Sequence, residues 1–117
     1  MTSSELKFDL ELRTGKFGEQ VIQLAKKLPQ SPITLPLINQ LIRSTTSVGA
    51  NYCEANNAES RLDFKHKIGI CKKEARETMH WLKMVAASCP NFEKETQMPW
   101  QEAKELNYIF SAIIKST

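Results

Sequence analysis

Apolar side chains in this chain return at three- and four-residue intervals in four stretches, and proline-bearing breaks separate the stretches. That period belongs to helices that bury one face, and no two-residue alternation of strands competes with it. The first stretch runs from about Leu10 to Leu28, with Phe17, Val21, Leu24 and Leu28 along one line. Gly15 and Gly18 weaken its first half. Pro29 stops it, because the residue before a proline avoids helical backbone. Ser31-Pro32 supplies an N-cap and a first-turn proline for the second helix, with Pro36 leaving its start open by one turn. Leu37, Ile38, Leu41, Ile42, Thr45, Val48, Gly49 and Tyr52 then cover one broad arc, and the polar run Glu54 to Glu59 breaks the pattern. Ser60 and Asp63 read as a capping box. The third helix they open should reach Cys89 before Pro90 ends it, about 30 residues or about 45 Å. A hinge over Pro90 to Met98 precedes a fourth helix, opened by Pro99 and carrying Ala103, Leu106, Phe110, Ile113 and Ile114. The pattern predicts an all-α fold, an up-and-down antiparallel four-helix bundle.

A length of 117 residues supports one hydrophobic core, so a single domain over 1–117 is expected, with 1–9 as a disordered tail. The 41% apolar and 25% charged composition, with only four Gly and five Pro, belongs to a globular chain and excludes a disordered one. No apolar run approaches the roughly 20 residues that cross a bilayer, which argues against a membrane partner. Met1 to Phe8 is polar and lacks the apolar stretch of a secretory signal, so a cytoplasmic location is expected. Cys53, Cys71 and Cys89 form no CxxC pair and fall among helical apolar positions, where buried thiols are the ordinary reading.

Charge is divided very unevenly between the two central helices. From Ile33 to Ala55 the charged residues are Arg43 and Glu54, whereas Ser60 to Val85 carries ten. On a helical wheel Arg61, Lys65, Lys72, Arg76 and Lys83 fall within about 40° of one line, as a basic stripe. The opposite arc holds Phe64, Ile68, Ile70, Cys71, Ala75, Thr78, Trp81, Leu82 and Val85. Asp63, Lys67 and Glu74 intrude on it, and Glu77 sits at its edge. Charges there are costly unless paired. Asp63 and Lys67, at i and i+4, suit an intrahelical pair. Glu74 needs a partner from another helix or another subunit, for which Arg43 and Asn51 are the candidates. If that pair is buried, Glu74→Ala should cost about 3–5 kcal/mol. The second helix, opposite its apolar arc, carries Asn39, Gln40, Arg43, Ser47, Ala50, Asn51 and Glu54. A face so poor in long charged side chains reads as a second packing surface, which implies a homo-oligomer.

Three stretches of these helices carry a family resemblance. They are Arg43 through Ala55 (RSTTSVGANYCEA), Ser60 through Lys67 (SRLDFKHK), and Lys73 through Thr78 (KEARET) followed by Trp81-Leu82, with Leu28-Pro29 and Gln40-Leu41 upstream. Together they resemble the bacterial four-helix bundle proteins encoded in intervening sequences of 23S rRNA genes. The resemblance covers about Leu10 to Cys89; the last helix is generic. It implies an up-and-down bundle that assembles as a ring-like homopentamer. It also implies kinship with the accessory protein of diversity-generating retroelements, which binds nucleic acid and a reverse transcriptase. Carried onto this chain, the family's polar signature falls on Arg43, Ser47, Asn51, Glu54, Asp63, Lys67, Glu74, Glu77 and Trp81.

Three functions compete on these residues. Sequence-tolerant binding of RNA or DNA rests on the basic stripe, supported by Lys26, Lys27 and Lys73. The net charge of +3 is too mild to argue it alone, although five copies would carry about +15. No aromatic–basic interleaving, helix-turn-helix or zinc-finger spacing accompanies the stripe. A structural or adaptor scaffold for a partner protein is the alternative, and it needs only the two-faced second helix. A metal-binding bundle is the remote third: Glu77 and His80 have ExxH spacing, but no second copy exists and His66 has no matching Glu. Gly-rich phosphate loops and nucleophile motifs are missing, so a non-enzyme with no catalytic residue, metal or cofactor is expected. The hydroxyls of Ser44 to Ser47 should bond the preceding turn's carbonyls, and the Trp81 indole N–H needs one acceptor.

Overall fold

The computed structural model describes residues 3–117, with side chains at residue 5 and from residue 9 onward. Four α-helices follow one another: α1 (Ser3–Lys27), α2 (Thr34–Asn56), α3 (Arg61–Ser88) and α4 (Glu93–Ser116). A single 3₁₀ turn, Pro90–Phe92, joins the last two. Each helix packs on its sequence neighbour, and α1 meets α4 more sparingly to close the bundle. The result is an all-α, up-and-down four-helix bundle. Its longest dimension is 44 Å, the length that α3 sets.

The helix ends follow local chemistry. Ser31 Oγ accepts from the backbone N–H of Thr34 at 3.1 Å, and Thr34 Oγ1 accepts from that of Ser31 at 2.9 Å. These reciprocal bonds cap the turn that leads into α2. Pro36 lies in the first turn of α2, where no N–H is required. Ser60, in extended backbone, accepts from the Asp63 N–H at 3.0 Å and starts α3. The core consists largely of residues the periodicity selects: Phe17, Val21, Leu41, Val48, Ile68, Leu82, Val85, Ala103, Leu106 and Phe110 are all at most 1% exposed.

Two boundaries differ from the pattern's expectation. First, α1 is assigned from Ser3, so from residue 3 onward the expected tail is helix, and Met1 and Thr2 lie outside the described residues. Second, α4 begins at Glu93, and Pro99 lies inside it instead of opening it. A proline there removes the N–H that would serve the Glu95 carbonyl. Glu95 is exposed, so water can serve that carbonyl instead. Two acidic residues in the first turn, Glu93 and Glu95, favour the earlier start.

Candidate functional site

The seam between α2 and α3 gathers the polar residues that intrude on the apolar arcs. Arg43 reaches across it with Nη1 2.8 Å from Glu74 Oε2 and Nη2 against Glu77 Oε1, while its Nε donates to Gln40 Oε1 at 3.1 Å. The three-residue spacing of Glu74 and Glu77 puts both carboxylates on one face of α3, where one guanidinium fork spans them. Glu77 also accepts from Trp81 Nε1 at 3.1 Å. The pair is lopsided in burial: Glu74 is 6% exposed, whereas the Arg43 side chain is 48% exposed.

Trp81's hydrogen bond is the largest influence on Glu77 and, with Arg43's charge, holds its carboxyl below the usual range against the opposing effect of burial. Burial alone would lower the Arg43 pKa, but hydrogen bonding and charge from Glu74 and Glu77 outweigh it and raise it. Beneath the ion pair lies a buried hydroxyl cluster. Thr78 Oγ1 sits 2.9 Å from the Glu74 carbonyl and 2.9 Å from Ser44 Oγ, and Thr45 Oγ1 donates to the Leu41 carbonyl at 2.7 Å. Neither Ser44 nor Thr45 is placed beside a base, so both hydroxyls serve the seam.

Elsewhere the polar signature is wired differently from expectation. Lys67 pairs with Glu54 of α2 at 3.5 Å and not with Asp63, because α2 docks alongside α3 and brings Glu54 within reach. Asn51 does not reach Glu74; its Nδ2 donates to the Ser47 carbonyl one turn back at 2.9 Å. Cys71 and Cys89 are buried, but Cys53 is exposed, since it falls just outside the arc of α2 that faces the core. Burial pushes the Cys71 thiol up to about 12 and leaves it unreactive at neutral pH. The ExxH spacing does not build a metal site. Glu77 is engaged by Arg43 and Trp81, and the exposed His80 ring stands edge-on to Trp81 at 4.8 Å. Among the described residues no group of three or more His, Cys, Asp or Glu is arranged to hold a metal ion.

The basic stripe lies on the outer side of α3. Arg61, Lys65, Arg76 and Lys83 are exposed; Lys72 is half-buried where the Asn107 side chain of α4 donates to its carbonyl at 2.9 Å. Among the described residues none of the five forms an ion pair, whereas Arg13, Arg43 and Lys67 each do. Beside the stripe, α4 contributes residues that periodicity did not single out. Lys83 Nζ lies 5.7 Å and Lys104 Nζ 5.5 Å from the centroid of the Trp100 ring, and Tyr108 is 63% exposed nearby. Lys104 and Tyr108 lie four apart on α4, which could have flagged a basic–aromatic pair, but only packing shows that α3 adds Lys83 to it.

The model for the 23S rRNA-intervening sequence protein family matches residues 10–112, which include all of this polar seam and nearly all of α4. The chain belongs to this family. Among solved structures it resembles a 1.70 Å crystal structure of a protein of unknown function, from the S23 ribosomal protein family of Bacteroides thetaiotaomicron VPI-5482. The two share 31% identity with a TM-score of 0.81, over 90% of this chain and 97% of that one. No curated protein matches. Among the described residues no helix is long and apolar enough to cross a membrane.

Proposed function

We propose that this family member is a non-enzymatic, homo-oligomeric bundle that binds nucleic acid through the outer side of α3. One observation carries the reading: five cations stand in one line on α3, four of them exposed, and among the described residues none of the five has a carboxylate partner. Unpaired Lys and Arg on one helix face attract phosphates and release condensed counterions, which gives sequence-tolerant binding. A gel-shift titration tests it. Charge reversal at Lys72, Arg76 and Lys83 should abolish the complex, and rising salt should weaken it steeply. No complex at low salt eliminates the reading.

The outer face of α2 is the surface we assign to contact with a second copy. Asn39, Gln40 and Ala50 are exposed there, Ser47 and Asn51 are half-buried, and its charges, Arg43 and Glu54, already have partners within the chain. The number five rests on the family resemblance. Light scattering at micromolar concentration should give a multiple of 13.3 kDa. A lone 13.3 kDa particle refutes the assembly.

A second reading, an adaptor for a partner protein, draws support from the opposite kind of surface. Ile33 (73% exposed), Leu35 and Met98 (82%) lie at the end of the bundle where α2 and α4 begin. Partners that survive nuclease treatment in a pull-down would favour it.

A further inference from the structure

The groove between α3 and α4 has a composition that a merely solvated helix face does not need. Arg76, His80 and Lys83 line one wall and Trp100, Lys104 and Tyr108 the other, around a volume of about 380 Å³ with no carboxylate on its lining. Both lysine ammoniums lie within about 6 Å of the Trp100 ring centroid, and among the described residues its buried indole N–H finds no acceptor. Tyr108, by contrast, is 63% exposed on the same lining as these cations, and among the described residues its ring has no aromatic partner.

We infer that this groove takes single-stranded nucleic acid, with one unstacked base laid on Tyr108 and the flanking phosphates beside Arg76, Lys83 and Lys104. The inference rests on the nucleic-acid reading above and adds which form of nucleic acid is bound. Cations alone would accept any polyanion, duplex included. An exposed aromatic face discriminates, because a base offers its own face only when it has left the duplex stack. Every base has such a face, so the preference is for strandedness and not for sequence. The Trp100–lysine contacts bias the two ammoniums toward the groove.

Fluorescence anisotropy at low salt tests this with four probes: oligo-rU, oligo-dT, a duplex with the same number of phosphates, and poly-glutamate. Single strands should bind more tightly than the duplex. Tyr108→Ala should weaken single-strand binding by about 5- to 150-fold, the range for loss of one stacked base. Tyr108→Phe should restore it, and duplex affinity should not move in either variant. Tyr108 is exposed, so neither change endangers the fold. The double variant Lys83→Glu/Lys104→Glu should weaken all nucleic-acid binding. Equal affinity for single strand and duplex, unchanged by Tyr108→Ala, overturns the inference and leaves the broader nucleic-acid reading standing. Poly-glutamate binding as tightly as oligo-rU also overturns it, in favour of an acidic polypeptide. No complex with either nucleic acid removes both. The rU and dT arms show whether the sugar matters.

Discussion

Two seams of this bundle use the same device at different depths. Arg43 of α2 bridges Glu74 and Glu77 of α3; Arg13 of α1 bridges Glu102 and Glu105 of α4, at 2.7 and 3.0 Å. In each, one guanidinium spans two carboxylates spaced three apart. Depth separates them. At α2–α3 one carboxylate is nearly sealed off and a hydroxyl cluster lies below it. At α1–α4 the side chains are 34%, 24% and 52% exposed, and the helices themselves touch sparingly. An ion pair open to water contributes little, because solvent already satisfies both charges. A buried carboxylate depends on its partner, because removing the partner leaves a charge that water reaches poorly. The α2–α3 seam therefore fixes how two helices meet, and the α1–α4 seam only fastens an edge.

Acidification should produce the largest effect, since it strikes both seams together. Hydrogen bonds, from Trp81 to Glu77 and from Arg13 to Glu102, hold these two carboxyls below their ordinary value of 4.5. Folded values below unfolded ones mean that their stabilisation is complete above about 4.5 and drains away as pH falls through the folded values. Melting temperature should drop across that window. The double variant Arg13→Met/Trp81→Phe, which removes both hydrogen-bond donors, should show a shallower drop, and an unchanged slope would refute both assignments.

Next comes Arg43→Met, which strands buried Glu74 and should cost about 2–3 kcal/mol in urea denaturation, less than a fully buried pair because half the arginine is in water. Glu74→Met should cost less, since Arg43 keeps Glu77, Gln40 and solvent. The cost of about 3–5 kcal/mol expected from sequence for Glu74→Ala held only for a buried pair, a condition that half-exposed Arg43 does not meet. Equal losses in the two variants would show that depth does not distinguish the partners. Thr78→Val, which removes the hydroxyl between Ser44 and the Glu74 carbonyl, should cost about 1 kcal/mol. Smallest is Arg13→Met, at about 0.5 kcal/mol and reduced further by salt. A loss as large as that of Arg43→Met would erase the contrast between the seams.

The helices and core were legible because apolar periodicity reports burial directly. Leu41, Val48, Ile68 and Leu82 each lie where the wheel puts them. Pro99 misled because its penalty depends on what the orphaned carbonyl faces, and a single sequence does not reveal that Glu95 faces water. Lys67 misled in a similar way. An i,i+4 partner is visible along one helix, but Glu54 becomes available only once α2 is docked. Arg13 gave no signal, as an arginine on a partly exposed face is unremarkable until α4 brings Glu102 and Glu105 within reach.

Sequence by itself determined that this chain makes four amphipathic helices, that α2 is starved of charge, and that α3 carries its cations in a line. Those properties follow from the order of residues along one helix, where spacing fixes direction. Tertiary structure alone decided which carboxylate an arginine holds, how deep each pair sits, and that Trp100 and Tyr108 stand beside the basic line. Pairings between helices depend on the rotation and offset of one cylinder against another, and many local contacts settle these jointly without any one of them being written at a single position.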